Sequence, residues 1–267
     1  MSGLLYTRFE LLRAFRNRRF FIFSLGFPLV LYFLIAAPQK NTQDLLGTGI
    51  SAPLYYMAGL AAFGTMASMI SSGGRIAAER QAGWTRQLRI TPLTARQYFR
   101  AKVVASYAMA ITSLLLLYLA GASLGVSLPA NRWLAMTGLI LVGLLPFAAL
   151  GITLGHLITV DSVGPLTGGL VAILAFLSGT WFPLTHGFLY DVGQYLPGYW
   201  IVQASHIATH GHGWGAKGWG VVIAWTVVLV LLARVAYGRD TQRVCSASPR
   251  GGQGPRPLGS RRPIVGR

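Results

Sequence analysis

Long stretches without a charged side chain alternate with short basic segments along this chain. An α-helix needs roughly 20 apolar residues to cross the hydrocarbon core of a bilayer. Six stretches meet that requirement and predict transmembrane helices near residues 20–37, 53–72, 102–125, 133–157, 163–182 and 214–236. A further uncharged stretch, 192–216, is interrupted by Pro197, glycines and histidines and is not predicted to span. The pattern therefore predicts an all-α integral membrane protein with a six-helix transmembrane domain over residues 20–237.

The composition excludes an ordinary soluble domain. Of the 267 residues, 53% are hydrophobic and only 11% are charged, whereas soluble globular domains carry about 25% charged residues. A net charge of +17 is typical of proteins that bind nucleic acid. Here, however, the charges form three blocks separated by uncharged runs, which is how a membrane protein distributes them. We therefore expect the chain to be surrounded by membrane lipid and not to bind nucleic acid.

The basic residues predict the orientation in the membrane. Twenty of the 23 lysines and arginines lie before the first predicted span, between the second and third, or after the sixth. Because such residues concentrate on the cytoplasmic side, both termini are predicted to be cytoplasmic, in a multi-pass protein of the inner (plasma) membrane. The tail, 238–267, is rich in glycine, proline, serine and arginine and is predicted to be disordered near anionic lipid.

The N-terminal segment, 1–19, contains an amphipathic pattern between Leu4 and Phe15. Apolar residues recur at helical spacing, with Arg8, Glu10 and Arg13 off the apolar stripe. This pattern predicts a helix that lies in the membrane interface, and its defining residues are Leu5, Arg8, Phe9, Leu12 and Arg13. The alternative is a simple anchor that only orients the first span.

The basic segment between the second and third spans predicts two helices. Ile76–Ile90 forms a short helix with Trp84 on one side, and Pro92 ends it because the residue before a proline disfavours helix. Thr94 and Gln97 then form a capping box that starts a helix continuous with the third span. Such a rigid element could transmit a push from a soluble partner into the bilayer. The alternative is an ordinary basic loop.

At this segment the sequence resembles a known family. Residues 79–94, Glu-Arg-Gln-Ala-Gly-Trp-Thr-Arg-Gln-Leu-Arg-Ile-Thr-Pro-Leu-Thr, are similar to the cytoplasmic loop of ABC-2 type transporter permeases, the membrane subunits of bacterial ABC exporters. Pro28 after Arg-Asn-Arg-Arg (16–19), the segment 177–183 and the segment 196–200 are similar as well. The resemblance implies six spans and a coupling helix that docks on an ATPase subunit. The residues it assigns to coupling are Glu79, Arg80, Gly83, Trp84, Arg86, Leu88, Arg89, Thr91 and Pro92.

The sequence shows neither a motif for ATP hydrolysis nor the residues expected for ion-coupled transport. It contains no G-x-x-x-x-G-K-[ST] phosphate-binding loop, and no ionisable residue lies near the middle of a predicted span. Ion-coupled transporters normally carry such residues. With the resemblance, this predicts a permease that exports a hydrophobic or amphipathic small molecule such as a drug, an antibiotic or a lipid-like compound. The chain is expected to bind no cofactor and to have no enzymatic activity, with ATP and Mg²⁺ bound by the partner ATPase.

A permease with six spans would supply half of a transport pathway, so a homodimer or a close heterodimer is expected. Three glycine pairs have the spacing of close helix contacts, namely Gly121 with Gly125, Gly151 with Gly155, and Gly164 with Gly168. Such contacts could form within one chain or between chains.

The segment before the sixth span predicts a feature of the outer side. It is apolar, aromatic and broken by prolines, and the resemblance implies an outer gate built from Phe182, Pro183, Phe188, Tyr195, Pro197 and Trp200. The alternative is a belt of aromatic residues at the membrane interface. His206, His210 and His212 follow, but no carboxylate or cysteine completes a metal site, so interfacial polar residues are expected.

Three other functions stay open at this stage. A permease of the same family could export a glycan or a lipid-linked polysaccharide. A membrane-embedded enzyme that modifies lipid would need polar catalytic groups at one interface, and the best available set is His186, Asp191 and His206. An accessory membrane protein could recruit a soluble factor through the same loop.

Overall fold

The computed structural model describes residues 2–17, 22–84, 87, 91, 93–207 and 213–246. Every regular element in these residues is a helix. The α-helices are α1 (Ser2–Arg16), α2 (Phe27–Ala36), α3 (Ala52–Ile70), α4 (Ser72–Gln81), α5 (Ala95–Ser123), α6 (Ala130–Gly143), α7 (Leu145–Leu157), α8 (Val160–Leu177), α9 (Phe188–Gly193), α10 (Pro197–Gln203) and α11 (Ala216–Ser246). A π-helical segment, Ile22–Gly26, precedes α2, and 3₁₀ turns cover Ala37–Gln39 and Ala204–His206.

Among the described residues, five helical runs are long and apolar enough to cross a membrane. They are Ala52–Gln81, Ala95–Ser123, Ala130–Leu157, Val160–Leu177 and Ala216–Arg239. The first predicted span corresponds to a shorter apolar helix, Phe27–Gln39, with part of its predicted beginning outside the described residues. The all-helical, multi-pass membrane class is confirmed. The count of six spans and the cytoplasmic position of both termini stay predictions.

Helix α3 forms the centre of the bundle. Nearly all of its residues are buried, and α2, α5, α7, α8 and α10 pack around it. Glycines allow the closest approaches: a Cβ atom at Gly59 would lie 2.6 Å from the Thr180 carbonyl oxygen, and one at Gly64 would lie 2.7 Å from Ser113 Oγ. Small residues at helix contacts let backbones come close, which is how membrane helices gain packing energy.

The fourth and fifth predicted spans each contain a break in the structure. Leu144 ends α6 and precedes α7, because Pro146 lacks the N–H group that a continuous helix would need there. Helix α8 ends at Leu177, before the predicted end of the fifth span at residue 182. Gly179 has φ +73°, a left-handed conformation that favours glycine and terminates helices.

Two other predicted boundaries were wrong. Helix α4 continues directly from the second span and ends at Gln81, where the sequence predicted a separate helix over Ile76–Ile90. Gly83, with φ +71°, follows this end and supports the turn. Helix α11 extends to Ser246, into the predicted disordered tail. At the end of the predicted membrane domain, its Tyr237 packs edge-on against Phe99 and His156 at centroid distances of 5.0 and 5.5 Å. Residues 247–267 lie outside the described residues.

Candidate functional site

Helices α1, α4 and the beginning of α5 meet at one end of the molecule, which we call the basic end. The predicted capping box starts α5 there: Gln97 N donates to Thr94 Oγ1 at 3.3 Å, and Thr94 N donates to Gln97 Oε1 at 3.0 Å. These bonds satisfy backbone groups that the first turn of a helix leaves free. The predicted helix that runs without interruption from Thr94 into the third span is present as Ala95–Ser123.

A fully buried lysine lies at the centre of the basic end. The Lys102 side chain has no exposed surface, and its Nζ lies 2.7 Å from Glu10 Oε1 of α1 and 2.5 Å from Glu79 Oε1 of α4. Both glutamates are also buried. A charge removed from water is tolerated only when opposite charges and hydrogen bonds replace its hydration. The three side chains therefore depend on each other.

Further polar groups complete this arrangement. Arg13 Nη1 lies 2.8 Å from Glu79 Oε1, and the Tyr98 hydroxyl donates to Glu79 Oε2 at 2.9 Å. Arg75 Nε lies 3.7 Å from Glu10 Oε1, while Arg75 Nη2 donates to Ser106 Oγ at 3.2 Å. We call Glu10, Arg13, Arg75, Glu79 and Lys102 the ion cluster. It contains residues of all three helices.

Sequence reasoning missed the two central members of this cluster. Glu10 was placed on the polar side of an amphipathic helix, and Lys102 was counted among the basic residues that predict orientation and matched the lysine that follows the loop in the family resemblance. The available signal was that Glu10 and Glu79 are the only glutamates in the chain and that both lie in arginine-rich segments. A rare acid among many bases indicates a specific partner, but the sequence does not say which base that partner is.

The predicted coupling residues have different environments. Glu79 belongs to the ion cluster, and Arg80 Nη1 donates to the Gly155 carbonyl oxygen at 3.0 Å, near the end of α7 where a basic side chain is favourable. Trp84 is 41% exposed, and Thr91 is exposed. Contact with a partner through any of these residues stays a prediction. The remaining predicted residues Arg86, Leu88, Arg89 and Pro92 lie outside the described residues.

Helix α1 presents two different faces. Glu10 and Ala14 are buried on the side that packs against α5, while Leu5, Phe9 and Leu12 are exposed on another side. The predicted helix is therefore present, but its polar surround is split: Arg8 is exposed and Glu10 is enclosed. Its position in the membrane interface stays a prediction.

A groove of about 610 Å³ separates α1 from the loop that contains Trp84. Its lining combines aromatic, aliphatic and charged side chains: Tyr6, Phe9, Glu10, Leu12, Arg13, Arg16 and Trp84. Burial, and then the neighbouring carboxylates Glu79 and Glu10, hold the pKa of Tyr6 above its ordinary value. The groove thus joins the two predicted functional elements, the amphipathic helix and the loop, into one continuous surface.

At the opposite end, α9, α10 and the turns around them cover the helix bundle. Among the predicted gate residues, Pro197 is buried, Phe182, Pro183 and Trp200 are half-buried, and Phe188 and Tyr195 are exposed. Trp200 Nε1 donates to the Gln194 carbonyl oxygen at 3.0 Å, and Trp225 Nε1 donates to the Tyr195 carbonyl oxygen at 2.7 Å. The first bond joins α10 to the end of α9, and the second attaches the segment to α11. Whether it opens as a gate stays a prediction.

The predicted glycine pairs also differ in their contacts. A Cβ atom at Gly151 would lie 2.4 Å from the Met69 carbonyl oxygen, and one at Gly155 would lie 2.8 Å from the Gly73 carbonyl oxygen. This pair therefore mediates close packing within the chain. Gly164 and Gly168 on α8 have open space at their Cβ positions.

Of the three histidines that were considered as a metal site, His206 lies in a 3₁₀ turn, and His210 and His212 lie outside the described residues.

The comparison with known families identifies the class of this helical membrane protein. Residues 47–235 match the family described as ABC-2 family transporter protein. The chain belongs to this family, and the resemblance found in the loop segment is confirmed.

A relative from Bacillus subtilis (strain 168) is described as "Putative transport permease YvfS". It is 28% identical over 231 residues, which cover 84% of this chain and 92% of the relative. The match supports a transport permease of an ABC transporter.

Proposed function

We propose that this chain is the transmembrane permease subunit of an ATP-driven ABC exporter, and that a separate ATPase subunit supplies the energy. Family membership supports the transport role. The observation that carries the finer proposal is the exposed Trp84, which lies beside the ion cluster between two helices that continue into the membrane domain.

The docking surface consists of Trp84 and the groove beside α1. Phe9, Leu12 and Trp84 offer apolar contact, and Arg13 and Arg16 offer positive charge at the same groove. An ATPase segment with an apolar side chain next to carboxylates would complement this surface, because opposite charges across an interface favour the correct partner and orientation.

Movement of the ATPase would reach two membrane helices directly. Helix α4 precedes Trp84 and forms one run with α3, Ala52–Gln81. The capping box at Thr94 starts α5, which is a single helix to Ser123. ATP-driven closure of two ATPase subunits would shift the loop and thereby change the arrangement of these spans in each of two permease halves.

The cargo class that we propose is a hydrophobic or amphipathic small molecule moved out of the cell. The described spans are apolar, and scattered serine and threonine hydroxyls provide the polar groups within them. The predicted outer element, which includes Tyr195, Pro197 and Trp200, would control release at the opposite end.

The first experiment is gentle purification from native membranes, followed by identification of the co-purified proteins by mass spectrometry. A P-loop ATPase in near 1:1 ratio is the expected result. An intact dimeric complex that contains no ATPase would contradict the proposal.

A second experiment tests the docking surface. Trp84→Asp is expected to lower ATP-dependent transport at least tenfold, because a carboxylate replaces an apolar contact, whereas Trp84→Phe keeps an aromatic contact and should transport within about twofold of the wild type. Reconstituted complexes and a transport assay measure both variants. Normal transport by Trp84→Asp would show that the loop does not couple the two subunits.

A further inference from the structure

We propose that Lys102 is a positioning residue that locks α1, α4 and α5 into one rigid unit, so that a displacement of the loop at Trp84 moves all three helices together. This inference rests on the proposed function, since it describes how the driving movement enters the membrane domain. Lys102 and Glu10 lie outside the coupling loop, and their proposed role is to join α5 and α1 to the movement of that loop.

The geometry places Lys102 where the three helices converge. Its Nζ contacts a carboxylate from each of the other two helices, Glu10 of α1 and Glu79 of α4, at 2.7 and 2.5 Å. Other members of the ion cluster connect the same helices in pairs. Arg13 joins α1 to α4, and Arg75 joins α4 to both α1 and α5. Each pair of helices is therefore held by at least one charged contact.

The charges make these contacts sensitive to distance. Lys102 has no exposed surface, and Glu10 and Glu79 are 3% and 2% exposed. In a poorly hydrated environment, separating opposite charges leaves each without water to replace its partner. The hydrophobic effect between apolar side chains is not directional. A buried ion cluster instead favours one arrangement of its helices and resists independent movement.

The position of the cluster suits transmission. Glu79 lies close to the end of α4, just before Gly83 and Trp84, so a force on the loop reaches Glu79 first. Lys102 passes it to α5 and, through Glu10, to α1. Beyond the ion cluster, the buried residues Ala14, Leu25, Ala105 and Met109 pack together. They connect α1 and α5 with the π-helical segment that leads into α2.

The first test separates coupling from folding. Glu10→Gln keeps the shape and an amide oxygen for Lys102 but removes the negative charge. We expect the complex to assemble and its ATPase rate to stay within about twofold, while the amount of cargo transported per ATP falls at least tenfold. Arg100→Gln is the matched control, because Arg100 is an exposed charged residue of α5, and it should behave as the wild type.

The results of this test distinguish the inference from the proposed function. If the wild-type complex shows no ATP-dependent transport, the proposed function fails. If the wild type transports and Glu10→Gln transports equally well per ATP, only the inference is overturned. Lys102→Met is measured beside it, and should it fail to fold, Glu10→Gln still decides the question.

The second test measures movement directly. Cys245 is the only cysteine in the chain, so a Cys245→Ser background permits spin labels at two chosen positions. Labels at Arg8→Cys on α1 and Gln81→Cys on α4 report the distance within the rigid unit. Labels at Arg8→Cys and Asn131→Cys, at the start of α6, report movement relative to the rest of the membrane domain.

With ATP, we expect the distance from position 8 to 131 to change and the distance from position 8 to 81 to remain constant. In the Glu10→Gln background, the distance from 8 to 81 should broaden or shift. A wild-type distance from 8 to 81 that changes with ATP would overturn the rigid unit. A constant distance from 8 to 131 in an active complex would overturn the transmission into α1.

Discussion

The two ends of the membrane domain are held together by different kinds of interaction. At the basic end, Lys102 and its two glutamates are buried ions that join three helices. At the opposite end, α11 contacts the segment of α9 through exposed hydrogen bonds to uncharged acceptors: Trp225 Nε1 donates to the Tyr195 carbonyl oxygen at 2.7 Å, and Lys217 Nζ donates to Gln194 Oε1 at 2.5 Å. One end depends on buried pairs of opposite charges, and the other depends on exposed single hydrogen bonds.

This difference has consequences for movement. A neutral hydrogen bond contributes only about 0.5–1.5 kcal/mol net, so contacts such as that of Trp225 with the Tyr195 carbonyl can break and form again one at a time. A buried charge that loses its partner costs several kcal/mol. We therefore expect the basic end to respond to force as a unit and the opposite end to rearrange in small steps.

The largest expected effect is that of Lys102→Met. It leaves Glu10 and Glu79 buried without an ammonium group, and we expect a loss of about 3–5 kcal/mol in the free energy of unfolding. Denaturant titration of the protein in detergent micelles measures it. Arg100→Met on the exposed side of α5 is the control and should change stability by less than about 0.5 kcal/mol.

A combined variant sharpens this prediction. Glu10→Gln and Lys102→Met together remove one charge of each sign and leave Glu79 paired with Arg13, so part of the lost stability should return. If the double variant is as unstable as the sum of the separate changes, the stability of the basic end depends on packing more than on charge.

Glycine substitutions compare close packing at the two ends. Gly151→Ala brings a Cβ atom to 2.4 Å from the Met69 carbonyl oxygen, and Gly59→Ala brings one to 2.6 Å from that of Thr180. Each should destabilise by about 1–3 kcal/mol because backbone must move. Gly138→Ala, which meets no atom within 4 Å, is the control. Thermal unfolding of all three decides whether both ends are packed equally tightly.

A smaller effect is expected at the start of α5. Thr94→Ala removes the side-chain acceptor for the Gln97 N–H and should cost about 1 kcal/mol, whereas Thr94→Ser retains the acceptor. Equal unfolding midpoints for the two variants would mean that tertiary packing, and not the cap, fixes the beginning of this helix.

The smallest expected effect is that of Trp225→Phe at the opposite end. The change keeps an aromatic ring but removes a solvent-exposed hydrogen bond to the Tyr195 carbonyl oxygen, so we expect a cost of about 0.5 kcal/mol, the lower end of the usual range. Trp219→Phe, on the same helix, is the matched comparison. A loss from Trp225→Phe as large as that from Lys102→Met would contradict the distinction between the two ends.

The sequence predicted local features well. The spacing of Thr94 and Gln97 identified the start of α5, and the apolar stripe with Phe9 identified α1, because both depend on residues within one or two turns. Boundaries were less accurate. The end of α4 at Gln81 depends on the left-handed conformation of Gly83, and the composition of the tail did not indicate that α11 continues to Ser246.

The candidate site was predicted only in part. Trp84 was identified from the loop pattern, and the structure places it beside α1 across the groove. Glu10 was assigned to a polar face, since a single amphipathic helix gives no indication of which polar residue will be enclosed. Its partner, Lys102, is distant in the sequence, and no helical periodicity connects the two.

By itself, the sequence determined the membrane class and the family, because uncharged runs and a loop motif are properties of contiguous residues. It also determined where α5 begins. Only the tertiary structure decided that α1, α4 and α5 converge on Lys102 and that Gly151 and Gly155 pack within the chain. The physical reason is that burial of a charge and close contact of backbones depend on which helices become neighbours, and that choice is made by the packing of the whole bundle.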